Sequence, residues 1–333
     1  MRKFIVALIL FLGVYFIIIR LAEVQKILST LQKGRWDFLL LSVIAVGFWL
    51  INIAFCFQVI YRAIGIDEKV VNLIPVAAAG FFLNVVAPTG GMSGMAIFFA
   101  EARRRNYSSG RAAVGGALYI LFDYIAFFIV LTLGFIVLIR RNDLNIGEIF
   151  AAVILIAIAS LICFLIFLGM RSADKLGRVL AWLSRLINRI LRPFLHREYL
   201  SEQRAISFAE EAAGGLRELL IEPRKLISPL AFALLKQGIS TLLLWFSFLA
   251  FEIPVSPGTV IAGYSISYLI LIVSPTPSGI GFVESALPFL LKSMYIPLEA
   301  AAVITLTYRT FTFWLPLLMG MIAFRWLGGQ KSI

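Results

Sequence analysis

Charged side chains occur at three places where the surrounding chain is strongly apolar. Asp123 lies within Arg111–Ile139, Arg309 lies within Leu298–Trp326, and Glu284 belongs to a segment broken by proline and glycine. A charge in the middle of a membrane helix costs at least about 2.5–3.5 kcal/mol, so it faces a polar cavity or a partner. These three residues therefore indicate either a cavity that accepts a charged ligand or an ion pair that locks the chain together. Glu284 and Asp123 are the candidate partners of Arg309, and Glu284 also suits a cation or a proton.

Two segments rich in proline and glycine offer backbone groups as well as side chains. Each lies where a short helix is expected to begin, and free N–H groups at a helix start bind anions such as phosphate. A tight turn between packed helices would use the same residue types. The candidate binding residues in these segments are Thr89, Gly90, Gly91, Thr276, Ser278, Gly279 and Gly281.

The overall composition restricts the class of protein. Hydrophobic residues form 61% of the 333 residues and charged residues 14%, against about 45–50% and about 25% in soluble domains. The bilayer must therefore be the solvent, and the long apolar runs favour helices over barrel strands. The net charge of +12 is typical of cytoplasmic loops beside anionic lipid, and no nucleic-acid partner is expected.

Residues suited to catalysis or metal binding are scarce in the sequence. His196 is its single histidine, and Cys56 and Cys163 lie inside apolar runs without metal-ligand spacing. No nucleophile accompanies a base, and no nucleotide-binding motif is present. We therefore expect no enzymatic activity, no cofactor and no metal site.

Six apolar stretches are long enough to cross a bilayer, which takes about 20 residues. Two further stretches, near 72–100 and near 258–296, are interrupted and predict re-entrant hairpins. The fold class is therefore an all-α polytopic membrane protein with eight membrane segments. An interfacial helix is expected over Leu21–Lys33. The full spans are Phe4–Ile19, Phe38–Tyr61, Arg111–Ile139, Ile149–Gly169, Leu226–Phe251 and Leu298–Trp326.

A weak internal repeat divides the single membrane domain, 1–333, into two halves. Residues 1–169 form the first half and 225–333 the second, joined by a basic amphipathic linker over 170–224. Val86-Ala87-Pro88-Thr89 recurs as Val273-Ser274-Pro275-Thr276, and Gly94 corresponds to Gly281. Asp123 follows the first motif at nearly the distance at which Arg309 follows the second. Interrupted segments in two inverted halves indicate a binding site near the bilayer midplane.

The distribution of lysine and arginine predicts the orientation. With both termini cytoplasmic and both hairpins re-entrant, most of the 30 Lys and Arg residues lie on the cytoplasmic side of a plasma or inner membrane. Lys236 and Arg309 remain within spans, and the stretch 176–194 is expected on the membrane surface. The basic residues left outside are Arg20, Lys26, Lys33, Arg35, Arg140, Arg141 and Lys292.

The interrupted segments resemble the transmembrane region of the lysylphosphatidylglycerol synthase/flippase family. The resemblance rests on Asn84–Gly94 (NVVAPTGGMSG), Pro275–Glu284 (PTPSGIGFVE), Tyr308-Arg309 and Trp314-Leu315-Pro316. It covers nearly the whole chain. The first motif departs from many relatives, which carry an acidic residue and an arginine after the glycine pair.

The resemblance implies the lipid-translocating portion of that family, without the soluble lysyl-transferring domain. The expected function is movement of a lipid with an anionic headgroup, a phospholipid or a polyprenyl phosphate, between leaflets. Membrane lipids are the expected partners. A secondary transporter of a small solute or ion, and a non-transporting partner of a lipid-modifying enzyme, stay open as alternatives.

Overall fold

Helices account for nearly all of the chain that can be described. The computed structural model describes residues 29–86, 93–141, 146–195, 202–221 and 223–329, with Gln25 and Ile27. The predicted span Phe4–Ile19 and most of Leu21–Lys33 lie outside the described residues. In chain order the helices are α1 (Trp36–Ala63), α2 (Val70–Val86), α3 (Ser93–Arg104), α4 (Ser109–Arg141), α5 (Ile146–Arg171), α6 (Ala173–Leu195), α7 (Glu202–Ile221), α8 (Ile227–Ala250), α9 (Pro257–Val273), α10 (Phe282–Ser293), α11 (Leu298–Arg309) and α12 (Leu315–Gly329).

Five helical stretches of the described chain are long and apolar enough to cross a membrane. They coincide with five of the six predicted spans, and the all-α polytopic membrane fold is confirmed. Many large apolar side chains of the long helices, such as Phe150 on α5 and Phe48 on α1, are exposed, because lipid replaces water there. The five stretches are Trp36–Ala63, Ser109–Arg141, Ile146–Arg171, Arg224–Ala250 and Leu298–Gly328.

Each interrupted segment forms a pair of antiparallel helices. Helices α2 and α9 have 17 residues each, and α3 and α10 have 12 each. Twelve residues extend about 18 Å, against a hydrocarbon core of about 30 Å, so α3 and α10 are too short to cross. Gly80 lies against Gly94 and Phe98, and Gly263 lies against Leu287 and Leu291. The re-entrant path of both pairs through the bilayer stays a prediction.

The two hairpins begin at opposite ends of the molecule, as the two ends of α4 show. Glu68, just before α2, contacts Arg105 beside the start of α4. Ser256, just before α9, accepts a hydrogen bond from Arg141 at the end of α4. The hairpins therefore point towards each other.

Helix lengths and packing reveal the inverted repeat more clearly than sequence identity does. The starts of α2 and α9, and likewise their ends, are 187 residues apart, and so are the ends of α1 and α8. The equivalent helices α1 and α8 pack against each other in opposite directions. The Arg35 N–H donates to the Ala250 carbonyl at 2.7 Å, and the Asn52 amide donates to the Phe232 carbonyl at 2.9 Å. Equivalent helices that run antiparallel establish that the two halves have opposite orientation.

On both sides of the α1–α8 contact, a helix of one half packs on a helix of the other half. Helix α4 of the first half packs on α9, and α12 of the second half packs on α2. Glycine allows both close approaches. A Cβ atom on Gly134 would lie 2.5 Å from Ser265 Oγ, and one on Gly320 would collide with the Ala78 carbonyl. Ala78 and Ser265 are themselves 187 residues apart, so the two contacts are repeat equivalents.

The linker between the halves forms α6 and α7, which pack on each other and on the first half. Glu211 of α7 binds the start of α4, where its carboxylate accepts hydrogen bonds from Gly110 N and Ser108 Oγ at 2.8 Å each. Leu176 of α6 is buried, and Gly177 faces Ala209 of α7. Part of the apolar stripe predicted to lie on the membrane is therefore covered by protein.

Candidate functional site

The backbone around Arg309 departs from regular helix. Helix α11 ends at Arg309, and a π-helical turn, Thr310–Trp314, leads into α12. Pro316 lies just after this turn; proline lacks an N–H and its ring clashes with the carbonyl four residues earlier. The helix is wider at this turn, because Leu315 N donates to the Thr310 carbonyl five residues earlier. Such π turns recur at functional sites, and this one holds Arg309 inside the protein, where 2% of its side chain is exposed.

Arg309 makes three contacts, two of them with the second hairpin. Its Nε donates to Glu284 Oε1 at 2.5 Å, and its Nη2 donates to the Ser278 carbonyl at 3.1 Å. The guanidinium lies 4.7 Å from the centre of the Phe313 ring. The Glu284 side chain is 26% exposed, and its Oε2 accepts from Gly281 N at 2.8 Å. The predicted pairing of Arg309 with Glu284 is therefore present.

The tip of the second hairpin uses its backbone donors internally. Gly279 N donates to the Thr276 carbonyl at 3.2 Å, Gly281 N donates to Glu284, and Thr276 Oγ1 donates to the Ile280 carbonyl at 2.8 Å. The expectation of free N–H groups at Gly279 and Gly281 is therefore wrong for this conformation. Ser278 instead presents its carbonyl, with φ at +51°. Such a left-handed serine costs on the order of 1–3 kcal/mol, and the bond from Arg309 helps to hold it.

The first hairpin repeats one feature of the second. Gly94 N donates to Asn84 Oδ1 at 2.5 Å, as Gly281 N donates to Glu284. Both glycines lie at the start of the short helix of their hairpin, so a side chain caps each helix. Asparagine provides this oxygen without a charge. Thr89, Gly90 and Gly91, the predicted binding residues of the first tip, lie outside the described residues.

Asp123 binds Lys236 and not Arg309, which corrects the second candidate pairing. Lys236 Nζ lies 2.8 Å from Asp123 Oδ1, and Gln237 Nε2 donates to the same oxygen at 2.9 Å. The Tyr268 hydroxyl donates to Oδ2 at 2.6 Å. The hydrogen bonds to Asp123 connect three helices, because Asp123 belongs to α4, Lys236 and Gln237 to α8, and Tyr268 to α9.

Aromatic residues enclose the Asp123–Lys236 pair. Lys236 Nζ donates to the Tyr268 hydroxyl at 3.2 Å and lies 5.6 Å from the centre of the Tyr119 ring. The Tyr264 hydroxyl donates to Gln237 Oε1. The side chains of Lys236 and Asp123 are only 9% and 8% exposed. The pair is therefore compensated inside the protein and joins the first half to the second.

Lys236 was not among the predicted site residues, although its sequence position carries a signal. A lysine inside an apolar span is rare and by default indicates function. Gln237 follows it directly, and both side chains reach the same carboxylate. The sequence could not show which of two intramembrane carboxylates would meet which of two cations, since that depends on how α8 packs.

A third charged cluster lies at the start of the first hairpin. Arg105 contacts Glu101 at 2.8 Å and Glu68 at 3.0 Å, and Tyr107 donates to the Asp67 carbonyl. Partial burial raises the pKa of Tyr107, and the negative charge of the neighbouring Glu68 carboxylate raises it further. These side chains border a narrow cleft. Arg105 therefore supports the hairpin as well as adding positive charge to this end.

Comparison with known proteins identifies a family that covers nearly the whole chain. The family described as "Lysylphosphatidylglycerol synthase TM region" matches residues 4–320. A UPF0104 membrane protein of Methanothermobacter thermautotrophicus is 21% identical over 311 residues, covering 92% of this chain and 90% of that protein. The matched region contains both hairpins, Arg309 and the Asp123–Lys236 pair.

Proposed function

Since the chain belongs to the family of the lysylphosphatidylglycerol synthase transmembrane region, we propose that it moves a lipid with an anionic headgroup between membrane leaflets. The observation that carries the proposal is the buried Arg309, held at the tip of a hairpin by a carboxylate that is itself partly exposed. The family's description supports a lipid-related role in the membrane. A phospholipid or a polyprenyl phosphate has the required headgroup.

Arg309 suits a phosphate because its charge is permanent. Arginine keeps its proton in almost any environment, so burial has to be compensated by an anion. Glu284 provides that anion in the conformation described here. Phosphate oxygens compete for the same guanidinium and accept two parallel N–H bonds from it. Exchange of Glu284 for a headgroup, and back again, is the binding and release step that we propose.

The two hairpins supply the route in this proposal. They begin at opposite ends of the molecule, and in this proposal the polar tip of the second hairpin lies within the membrane, surrounded by long apolar helices. Acyl or prenyl chains stay in the bilayer while the headgroup passes Arg309.

We further propose a plasma or inner membrane location with both termini cytoplasmic. The support is the basic linker over 170–224. It contacts the start of α4 through Glu211, at the same end of the molecule as Arg105. A single cysteine at Arg204, after removal of Cys56 and Cys163, should resist an impermeant thiol reagent in intact cells. Strong labelling from outside would contradict the orientation and leave the fold unaffected.

Purified protein in vesicles tests the lipid activity. Fluorescent anionic phospholipid should become accessible to a quencher in the opposite leaflet faster than in protein-free vesicles, and faster than a zwitterionic analogue. Uptake of small solutes without lipid movement would favour a solute transporter. Inactivity alone, together with co-purification of a lipid-modifying enzyme, would favour a non-transporting partner.

A further inference from the structure

The Asp123–Lys236 pair lies at the contact between the two halves. Asp123 extends from α4 of the first half, while Lys236 and Tyr268 extend from α8 and α9 of the second. Arg309 and Glu284, by contrast, both belong to the second half. A relative movement of the halves therefore stretches the Asp123–Lys236 pair and leaves the Arg309–Glu284 pair together.

Separation of two buried charges is costly. Removal of one partner from a buried pair is strongly destabilising, because the other charge remains without compensation. Transport between leaflets in an inverted repeat proceeds by movement of one half against the other. The pair must therefore be neutralised before the halves separate, or the movement is blocked.

We propose that Asp123 and Lys236 form a lock between the halves that opens when the proton of Lys236 passes to Asp123. The proton moves from Lys236 Nζ to Asp123 Oδ1 along the 2.8 Å hydrogen bond. The N–H bond breaks, an O–H bond forms, and the products are a neutral amine and a neutral carboxylic acid. No outside acid or base takes part, and the reverse transfer closes the lock. This inference rests on the proposed lipid movement.

The neighbours of the pair suit such an exchange. Gln237 and Tyr268 donate to the Asp123 carboxylate in the closed state. Both are neutral, so they impose no charge once the proton has moved. The other titratable groups facing the pair are Tyr119 and Tyr124 on α4, Tyr264 on α9 and Cys56 on α1.

A lysine is required for this lock, because an arginine would not release its proton. Lys236→Arg keeps the charge and should hold the halves closed. Asp123→Asn with Lys236→Gln keeps polar side chains of similar shape and removes both charges, so it should leave the halves unlocked. These two variants move the lock in opposite directions.

Thiol labelling reports the opening directly. Ser240 is buried one helical turn after Lys236 on the same face of α8. Ser240→Cys, with Cys56→Ala and Cys163→Ala, would be labelled by N-ethylmaleimide in reconstituted vesicles. We expect labelling about tenfold slower with Lys236→Arg, because the charges of the pair then stay and opening becomes more costly. We expect labelling about tenfold faster with the neutral pair, because no buried charges have to be separated. Melting temperature and gel filtration verify folding.

Equal labelling of Lys236→Arg and the parent would overturn the lock. If the arginine fails to fold, the neutral pair decides, and unchanged labelling of that folded variant overturns the proposal. Labelling does not depend on lipid. If it responds as expected and no variant moves fluorescent lipid, the proposed function fails and the lock stands. If lipid moves and labelling never responds, only the lock fails.

Discussion

The two intramembrane ion pairs differ in location, enclosure and chemistry. Asp123 and Lys236 join the two halves and are almost fully enclosed. Arg309 and Glu284 lie within the second half, and the Glu284 carboxylate is partly exposed. Lysine can lose its proton when its surroundings become apolar, whereas arginine keeps its charge. The first pair can therefore be dissolved by one proton, while the second can be dissolved only by another anion.

This difference separates a holding role from a binding role. An ion pair across the α4–α8 contact controls how the halves sit against each other. An ion pair at a hairpin tip, with one partner near the surface, leaves a permanent cation for a ligand to take over. The pseudo-twofold relation places a charge in both halves, but the carboxylate that caps a short hairpin helix, Glu284, belongs to the second half. The first half uses Asn84 for the same purpose.

The largest expected effect is loss of one member of the enclosed pair. Lys236→Met leaves the Asp123 carboxylate without its cation and should lower the free energy of unfolding by about 3–5 kcal/mol. Thermal unfolding in detergent measures this loss. Addition of Asp123→Asn should recover most of it. A melting temperature unchanged by Lys236→Met alone would contradict the holding role.

A smaller effect is expected where the halves approach through glycine. The new Cβ atom of Gly320→Ala would collide with the Ala78 carbonyl and lie 2.8 Å from Phe82 Cβ. Overpacking of this kind costs about 1–3 kcal/mol. Gly238→Ala is the matched control, because that position has no neighbour within 4 Å and alanine favours helix by about 0.5–1 kcal/mol. Similar melting temperatures for the two variants would contradict the close contact of α2 with α12.

Neutralisation of Glu284 should alter ligand binding more than stability. The amide oxygen of Glu284→Gln still accepts from Gly281 N, so the helix cap persists, but Arg309 loses its anionic partner. We expect several-fold more anionic lipid to co-purify, measured by mass spectrometry, and slower lipid movement because release is impaired. Glu299→Gln, at the exposed start of α11, is the control. Equal lipid content in both variants would argue against exchange at Arg309.

The smallest effect is expected at a solvent-exposed pair that also joins the halves. Arg35 contacts Asp37 at 2.6 Å and Glu252 at 3.3 Å. Both carboxylates remain largely exposed, so each pair contributes little to stability. Arg35→Gln should therefore leave the melting temperature in detergent at pH 7 nearly unchanged. A large loss at pH 7 would contradict the weakness expected of exposed pairs.

The sequence predicts the spans better than the contacts between them. Apolar runs defined five described helices to within a few residues, because a bilayer requires length and hydrophobicity of each span separately. The Arg309–Glu284 pair was predictable because both residues belong to one hairpin and the helix after it. The partner of Asp123 was not, since Lys236 is 113 residues away and only the packing of α8 on α4 and α9 brings it near. The inverted repeat rested on few identities and becomes evident in the equal helix lengths.

Lipid movement by a folded Arg309 variant tests whether Arg309 binds the moving headgroup. Arg309→Ala should elute and melt as a folded protein, with the partly exposed Glu284 relaxing towards solvent, yet move fluorescent anionic lipid no faster than empty vesicles. Arg309→Lys should recover part of the rate, because an ammonium keeps the charge and loses the paired N–H donors. Lipid movement at the wild-type rate by folded Arg309→Ala protein would show that Arg309 does not bind the moving headgroup.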